Sequence, residues 1–254
     1  MQVAERIVTR RTVSMIREYL PPHQIYLLIT QRSWPYKENK EFYETRDRAF
    51  MAMAFMSAGR ISPLVGDVKY ARVNGKIVKV GKYRGLRLSN FEIHEDFIIV
   101  KNMEVGKRSQ KVIQKHSQHV TIRDDFPLPL KTGLFENRYW DQFVPFSYLV
   151  LDYLKLLEGK PPDTRLFPFN RSRGWQIINY VTGMFPNWFR AQCEHFRGHF
   201  IDRDSVKLSK FIKVVRPEQV SHYIGYEWRD QLKQTKKDLD FEWIEQILKE
   251  RGMN

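Results

Sequence analysis

Two arginines and a tyrosine are the residues from which chemistry could be built. Arg60 stands in FMSAGRISPLVGDV, Arg190 in FPNWFR and Tyr223 in SKFIKVVRPEQVSHYIGY. A guanidinium stays charged at any workable pH and offers a planar fork of donors that matches the oxygens of a phosphate. Two of them, placed where negative charge grows during phosphoryl transfer, stabilise the transition state more than the ground state. A phenol, with a free pKa of about 10, is a weak nucleophile and needs such cationic surroundings to react. A lysine on an exposed turn would supply the proton that the leaving oxygen takes. Brought to one point, this set suits a phosphodiester. Each residue alone has a plainer reading, because a chain with 43 Lys and Arg and 12 Tyr carries many solvated cations and many packed rings. Order and context therefore carry the argument.

The elements that must position these residues belong to a chain of 254 residues, 42% hydrophobic, enough to bury a substantial core. Its net charge of +14 and pI near 9.8 favour a polyanionic partner. No run approaches the roughly 18 apolar residues of a membrane span, and the opening MQVAERIVTRR lacks the apolar stretch of a signal peptide. A cytoplasmic location and no membrane partner are expected. Cys193 is the single cysteine, which excludes an intrachain disulfide and a multi-cysteine zinc site.

Helical spacing predicts helices over 2–19 and 22–32, divided by Pro21 and Pro22. SWPYKENKEFYE reads as a loop, and RDRAFMAMAFMSAG as a helix so apolar that it belongs in the centre of the core. Gly59 is expected to end that helix, with Arg60 just beyond it and Ser62 capping a short helix that ends near Gly66. From Asp67 to Ile122 the pattern turns to strands: VKYARV, KIVKVG, LRLSNFEI, DFIIVKNMEV and KVIQKHSQHVTI. Asn74-Gly75 marks a hairpin, and GKRSQK an exposed basic turn. DFPLPLKTGLFENRYW reads as a proline-bearing connection back to helices. These follow as WDQFVPFSYLVLDYLKLLE (despite Pro145), RSRGWQIINYVTGM, FPNWFRAQCEHFRGHF and SVKLSKFIKVV. A turn led by Pro217 then precedes Tyr223, and residues 239–254 form a separate amphipathic helix. The expected organisation is one α+β domain over 1–254, mostly helical with a small antiparallel sheet and led by a short helical segment over 1–40.

Three of these segments, in this order, resemble the tyrosine recombinase or phage-type integrase family in its archaeal form. FMSAGRISPLVGDV resembles the family's first arginine motif, with Arg60 as the arginine and Asp67 near the segment's end. LFPFNRSRGWQIINYVTG followed by FPNWFR resembles the approach to its H-x-x-R motif, with Arg190 as the arginine. SKFIKVVRPEQVSHYIGY fits the nucleophile segment without a gap, with Tyr223 in the nucleophile's place. The resemblance covers about residues 40–230, the catalytic domain, and residues 1–40 stand where the family carries a core-binding domain. It implies a recombinase catalytic-domain fold and a covalent 3′-phosphotyrosyl intermediate on double-stranded DNA. The protein would then act as a homo-oligomer on DNA in recombination or integration, as mobile elements do.

The same resemblance assigns the roles. Tyr223 attacks, Arg60 and Arg190 clamp the non-bridging oxygens, and Lys107 in the GKRSQK turn protonates the leaving 5′ oxygen, with Lys101 as second choice. Lys101, Arg108, Lys111, Arg171 and Arg173 are expected on DNA. No metal or other cofactor is implied. The chain departs from the family in three places: Asn187 replaces the histidine three before the second arginine, Val214 the histidine or tryptophan nine before the tyrosine, and Pro63 the acidic residue after the first arginine. Asparagine can bond a phosphate oxygen but cannot shuttle a proton. His195, His199 and His222 lie near enough in sequence to stand in. The alternative readings are a weakened or inactive recombinase-like DNA-binding protein and, on charge alone, a nucleic-acid-binding protein of another fold.

Overall fold

The computed structural model describes residues 19–73, 76–105, 122, 124–213 and 239–253. The expected helix over 2–19 apart from Tyr19, the Asn74-Gly75 pair, the GKRSQK turn, the strand KVIQKHSQHVTI apart from Ile122, and the segment carrying Pro217 and Tyr223 lie outside the described residues. What is described is α+β: helices around one hydrophobic core, and two small antiparallel sheets, one a two-stranded hairpin and the other three-stranded.

The first helices set the core. Helix α1 spans Pro22–Gln31, with proline at its start, where a missing N–H costs nothing. Helix α2 spans Lys40–Met56 and so begins within the stretch expected to be a loop. Its polar first turns are tied by Lys40–Glu44 and Glu44–Arg48 ion pairs at 3.7 and 3.6 Å, the i,i+4 spacing that supports an exposed helical flank. From Ala49 to Met56 every side chain is buried, as the all-round apolar pattern predicts.

The end of α2 differs from expectation in a way that matters for Arg60. The left-handed residue that turns the chain is Ala58, at φ 46°, and not Gly59. Gly59 serves close packing instead: a Cβ there would lie 2.6 Å from Ser57 Oγ and 3.1 Å from Met103 Cε. Helix α3, Ile61–Val65, follows with Arg60 itself in the N-cap position, while the expected cap, Ser62, lies inside the helix. Gly66, left-handed at φ 76°, ends it by donating to the Ser62 carbonyl at 2.9 Å.

Strands β1 (Val68–Val73) and β2 (Lys76–Lys82) pair antiparallel, with Val73 opposite Lys76, the register of a two-residue connection. The hairpin base returns to α3 through Tyr83 N–H to the Asp67 carbonyl (2.9 Å) and Leu86 N–H to the Leu64 carbonyl (3.0 Å). The second sheet has β3 (Phe91–Ile93) and β4 (Phe97–Val100) with β5 (Phe126–Pro129). LRLSNFEI is thus only partly strand. Residues Leu88–Asn90 form a tight turn in which the Asn90 side chain accepts from Arg87 N–H and donates to the Lys101 carbonyl, both at 2.8 Å.

β5 was expected as a connection because of its prolines. Pro127 and Pro129 are two apart, so their missing donors fall on one side of the strand; β5 is the edge of its sheet, and that side needs no partner. After β4 the chain passes out of the described structure at Val105 and re-enters at Ile122, whose backbone bridges antiparallel to Glu104.

The remaining helices close the core. A 3-10 turn over Arg138–Phe143 leads into α4, Val144–Leu156, which packs along α2; Phe55 meets Phe143 and Phe146 at centroid distances of 5.7 and 4.8 Å. Pro145 sits in the first turn of α4, where it breaks no helical bond. Helices α5 (Arg171–Thr182) and α6 (Asn187–Phe196) follow, the latter running into a π turn over Arg197–Ile201. Helix α7, Ser205–Ile212, is capped by Asp204, which accepts from Val206 and Lys207 N–H at 2.6 and 3.2 Å. Helix α8, Glu242–Glu250, is not separate from the body: Trp243 and Ile244 join the core, and just beyond its end Arg251 grips Asp152 of α4 bidentately at 3.0 and 2.7 Å.

Candidate active site

Three helix starts meet at one cleft of about 340 Å³. Arg60 at the head of α3, Arg171 as the first residue of α5 and Asn187 as the first residue of α6 all line it, with Tyr83, Trp175 and Phe185 around them. The local sequence explains the meeting. Gly174 faces α3 and α2 so closely that a Cβ would lie 3.0 Å from both Ile61 Cγ2 and Phe50 Cζ, which lets α5 bring Arg171 beside Arg60. Arg165 secures the preceding loop by donating to the carbonyl of Val65, at the end of α3, and to that of Phe169 at 3.3 Å.

The cleft is electropositive for two separate reasons. Two guanidinium groups contribute formal charge, and the first residues of α5 and α6 both line it, so the positive ends of two helix dipoles favour an anion there. Neither helix has an acidic residue in its first turn.

Arg190 stands behind the cleft, one turn along α6 from Asn187. Its Nη1 donates to the Ala58 carbonyl at 3.2 Å, and its Nε lies 2.7 Å from the Glu194 carboxylate. Both side chains are largely buried, 13% and 3% exposed. Arg190 therefore ties α6 to the backbone two residues before Arg60 and does not itself line the cleft.

Arg173 turns elsewhere, because two residues along a helix are about 200° apart. It donates to the Tyr36 hydroxyl at 2.7 Å, and Tyr36 in turn donates to Asp47, which is fully buried and paired to Arg46 at 2.8 Å. Burial pushes both the Asp47 carboxyl and the Tyr36 phenol upward. Lys101 is held on the β3–β4 ribbon by Glu92, whose carboxyl that bond pulls down, and Lys101 is not among the cleft's lining residues. Tyr223, Lys107, Arg108, Lys111, Val214 and His222 lie outside the described residues.

No protein-family model, curated protein or solved structure matches the chain.

Among the described residues no histidine lines the cleft. His195 is at the far end of α6, about 12 Å along the axis from Asn187, and is buried between the rings of Tyr19 (4.3 Å) and His199 (4.4 Å). Burial, with His199 adding to it, pushes its pKa down to about 3. It is a neutral core residue and no proton shuttle for the cleft. Cys193, on the same helix, is also buried and donates to the Met56 carbonyl at 3.6 Å.

The depressed value has a consequence for stability. The folded protein disfavours the imidazolium, so this contribution is complete above the unfolded pKa of about 6.5 and is lost as pH falls toward 3. Denaturant unfolding should show about 2 kcal/mol less stability from this group at pH 5 than at pH 7, and His195→Gln should remove that part of the pH dependence. An unchanged pH dependence in the variant would refute the assignment.

Trp175 and Phe185 were not singled out in the sequence. The available signal was the i,i+4 spacing of Arg171 and Trp175, which places both on one face of α5. Aromatic content of 14% hides such a pair among core residues.

Proposed function

We propose that the chain is a tyrosine recombinase-like protein that binds a DNA phosphodiester in this cleft and breaks and rejoins the strand through Tyr223. The observation that carries the reading is the convergence of Arg60, Arg171 and Asn187, distant in sequence, on one cleft with two helix N-termini. The order of elements supports it as well: a central helix, an arginine turn, antiparallel strands, then the helix bearing Arg190. In the proposed reaction the Tyr223 phenol gives up its proton to solvent, its oxygen bonds to phosphorus and the bond to the 5′ oxygen breaks. That oxygen takes a proton from Lys107, and a 3′-phosphotyrosyl link remains. A strand's 5′ hydroxyl then attacks the phosphorus, expels the phenolate and restores the phosphodiester. Arg60 and Arg171 hold the non-bridging oxygens, Asn187 donates a hydrogen bond, and Arg190 keeps α6 against the turn before Arg60. Homo-oligomerisation on double-stranded DNA belongs to the same proposal.

The test is a duplex nicked beside the cleavage position, so that the leaving fragment diffuses away and the covalent adduct accumulates. Host-site and random duplexes are both included. Binding should weaken with salt at a log–log slope of about −0.9 per phosphate contacted. Arg60→Lys keeps the charge but loses the fork, and should slow adduct formation roughly 10- to 100-fold, a far larger effect than on DNA binding or stability. Equal losses of folding and cleavage would make Arg60 a structural residue. A flat salt dependence would remove the nucleic-acid reading.

A second reading is favoured by the absence of a histidine from the described lining: the same cleft binds DNA without cleaving it. It predicts salt-dependent binding and no adduct on any nicked duplex.

A further inference from the structure

The cleft that presents two arginines also presents two bare aromatic surfaces. Trp175 is 46% exposed and Phe185 38% exposed, and both line the cavity with Arg60 and Arg171. Among the described residues three other tryptophans are packed away: Trp34, Trp188 and Trp243 are 4, 1 and 9% exposed. Trp175 stands one helical turn after Arg171 on α5, so an indole face and a guanidinium are presented side by side. Phe185 lines the same cavity, two residues before the start of α6.

A phosphate has no use for an aromatic ring, and neither does a sound duplex, whose base faces are covered by their neighbours. An unstacked nucleotide uses both features: its phosphate meets the cations, and its base lies on the ring. The cavity, about 340 Å³, is at the scale of small-ligand pockets, about 300–1,000 Å³. We infer that the cleft takes an extrahelical or single-stranded DNA nucleotide, with Trp175 as the stacking platform for its base and Phe185 as a further apolar part of the lining. The inference rests on the phosphodiester reading of the cleft and adds its substrate class: DNA with an unpaired base at the bound phosphate. Unstacking costs energy, least where the base is already unpaired, so the protein discriminates in favour of such sites.

The experiment compares three fluorescein-labelled probes with the full chain by anisotropy: a paired 30-mer duplex, the same duplex with one bulged thymine, and the single strand. The parent protein should prefer the bulged duplex over the paired one about tenfold, the range expected for one base stacked on one ring. Trp175→Ala should bring that ratio to about one, and Trp175→Phe, which keeps a smaller face, should leave an intermediate ratio. The indole itself reports as well: the part of the emission that disappears in Trp175→Phe should be quenched by the bulged duplex and the single strand more than by the paired duplex. A ratio of one in the parent, or an unchanged tenfold ratio in Trp175→Ala, overturns the stacking inference and leaves the phosphodiester reading standing. Failure of the parent to bind any of the three probes at low salt overturns both.

Discussion

Arg190→Ala is expected to cost about 1.5–3 kcal/mol of folding stability, because it removes a largely buried, charge-assisted contact to Glu194 at 2.7 Å. The Arg190 side chain is 13% exposed and that of Glu194 3%, so water does not readily take over the lost interaction. The same substitution releases the carbonyl of Ala58, which Arg190 Nη1 holds at 3.2 Å. Guanidinium-chloride unfolding measures the loss directly. Adding Glu194→Gln to Arg190→Ala removes the charge that faced Arg190 and should recover part of the loss, the sign of coupling between the two side chains. A loss below about 0.5 kcal/mol in Arg190→Ala would mean that the pair is no more than a surface contact. The expected outcome also limits what can be learned from this arginine: a variant that loses folding loses every activity with it. Arg60, at the head of α3 and in the cleft lining, separates the two effects; Arg190 does not.

What could be read from the sequence was what local chemistry dictates. The all-round apolar run of α2, the short helix closed by Gly66 and the hairpin of β1 and β2 each follow from a few neighbouring residues. What could not be read depended on who the neighbours would be. β5 escapes notice because prolines count against a strand until it is known to be an edge. The start of α2 escapes because KEFYE is largely polar; its helix is supported by the ion pairs through Glu44 and by Phe42, which packs against the core. At the site, the position of Arg60 just beyond a helix was legible. Which of Arg171 and Arg173 enters the cleft was not, since it depends on how closely Gly174 lets α5 approach α3. Arg190 carried a motif resemblance and lies behind the lining, whereas Trp175 and Phe185 carried none and lie within it. A motif states which residue types are present; packing decides which of them face the substrate.

Tyr223→Phe is expected to abolish the covalent adduct altogether. The other site variants leave a slowed reaction, whereas this one removes the atom that bonds to phosphorus. The phenylalanine ring keeps the packing of the tyrosine, so folding and salt-dependent DNA binding should persist. Two further phenols make the assignment sharp. Tyr226 is three residues on, a spacing that shares a face wherever a chain is helical, and Tyr83 lines the cleft at 8% exposure. Both Tyr226→Phe and Tyr83→Phe should retain the adduct. The readout is denaturing electrophoresis of protein incubated with a labelled nicked duplex, with proteolysis and mass spectrometry to locate the modified residue. An adduct that survives Tyr223→Phe and vanishes in Tyr83→Phe would move the nucleophile to the hairpin base and break the resemblance at its central residue. If the parent and all three variants bind DNA and none forms an adduct on any nicked duplex, the chemistry is absent and the cleft is a DNA-binding site alone.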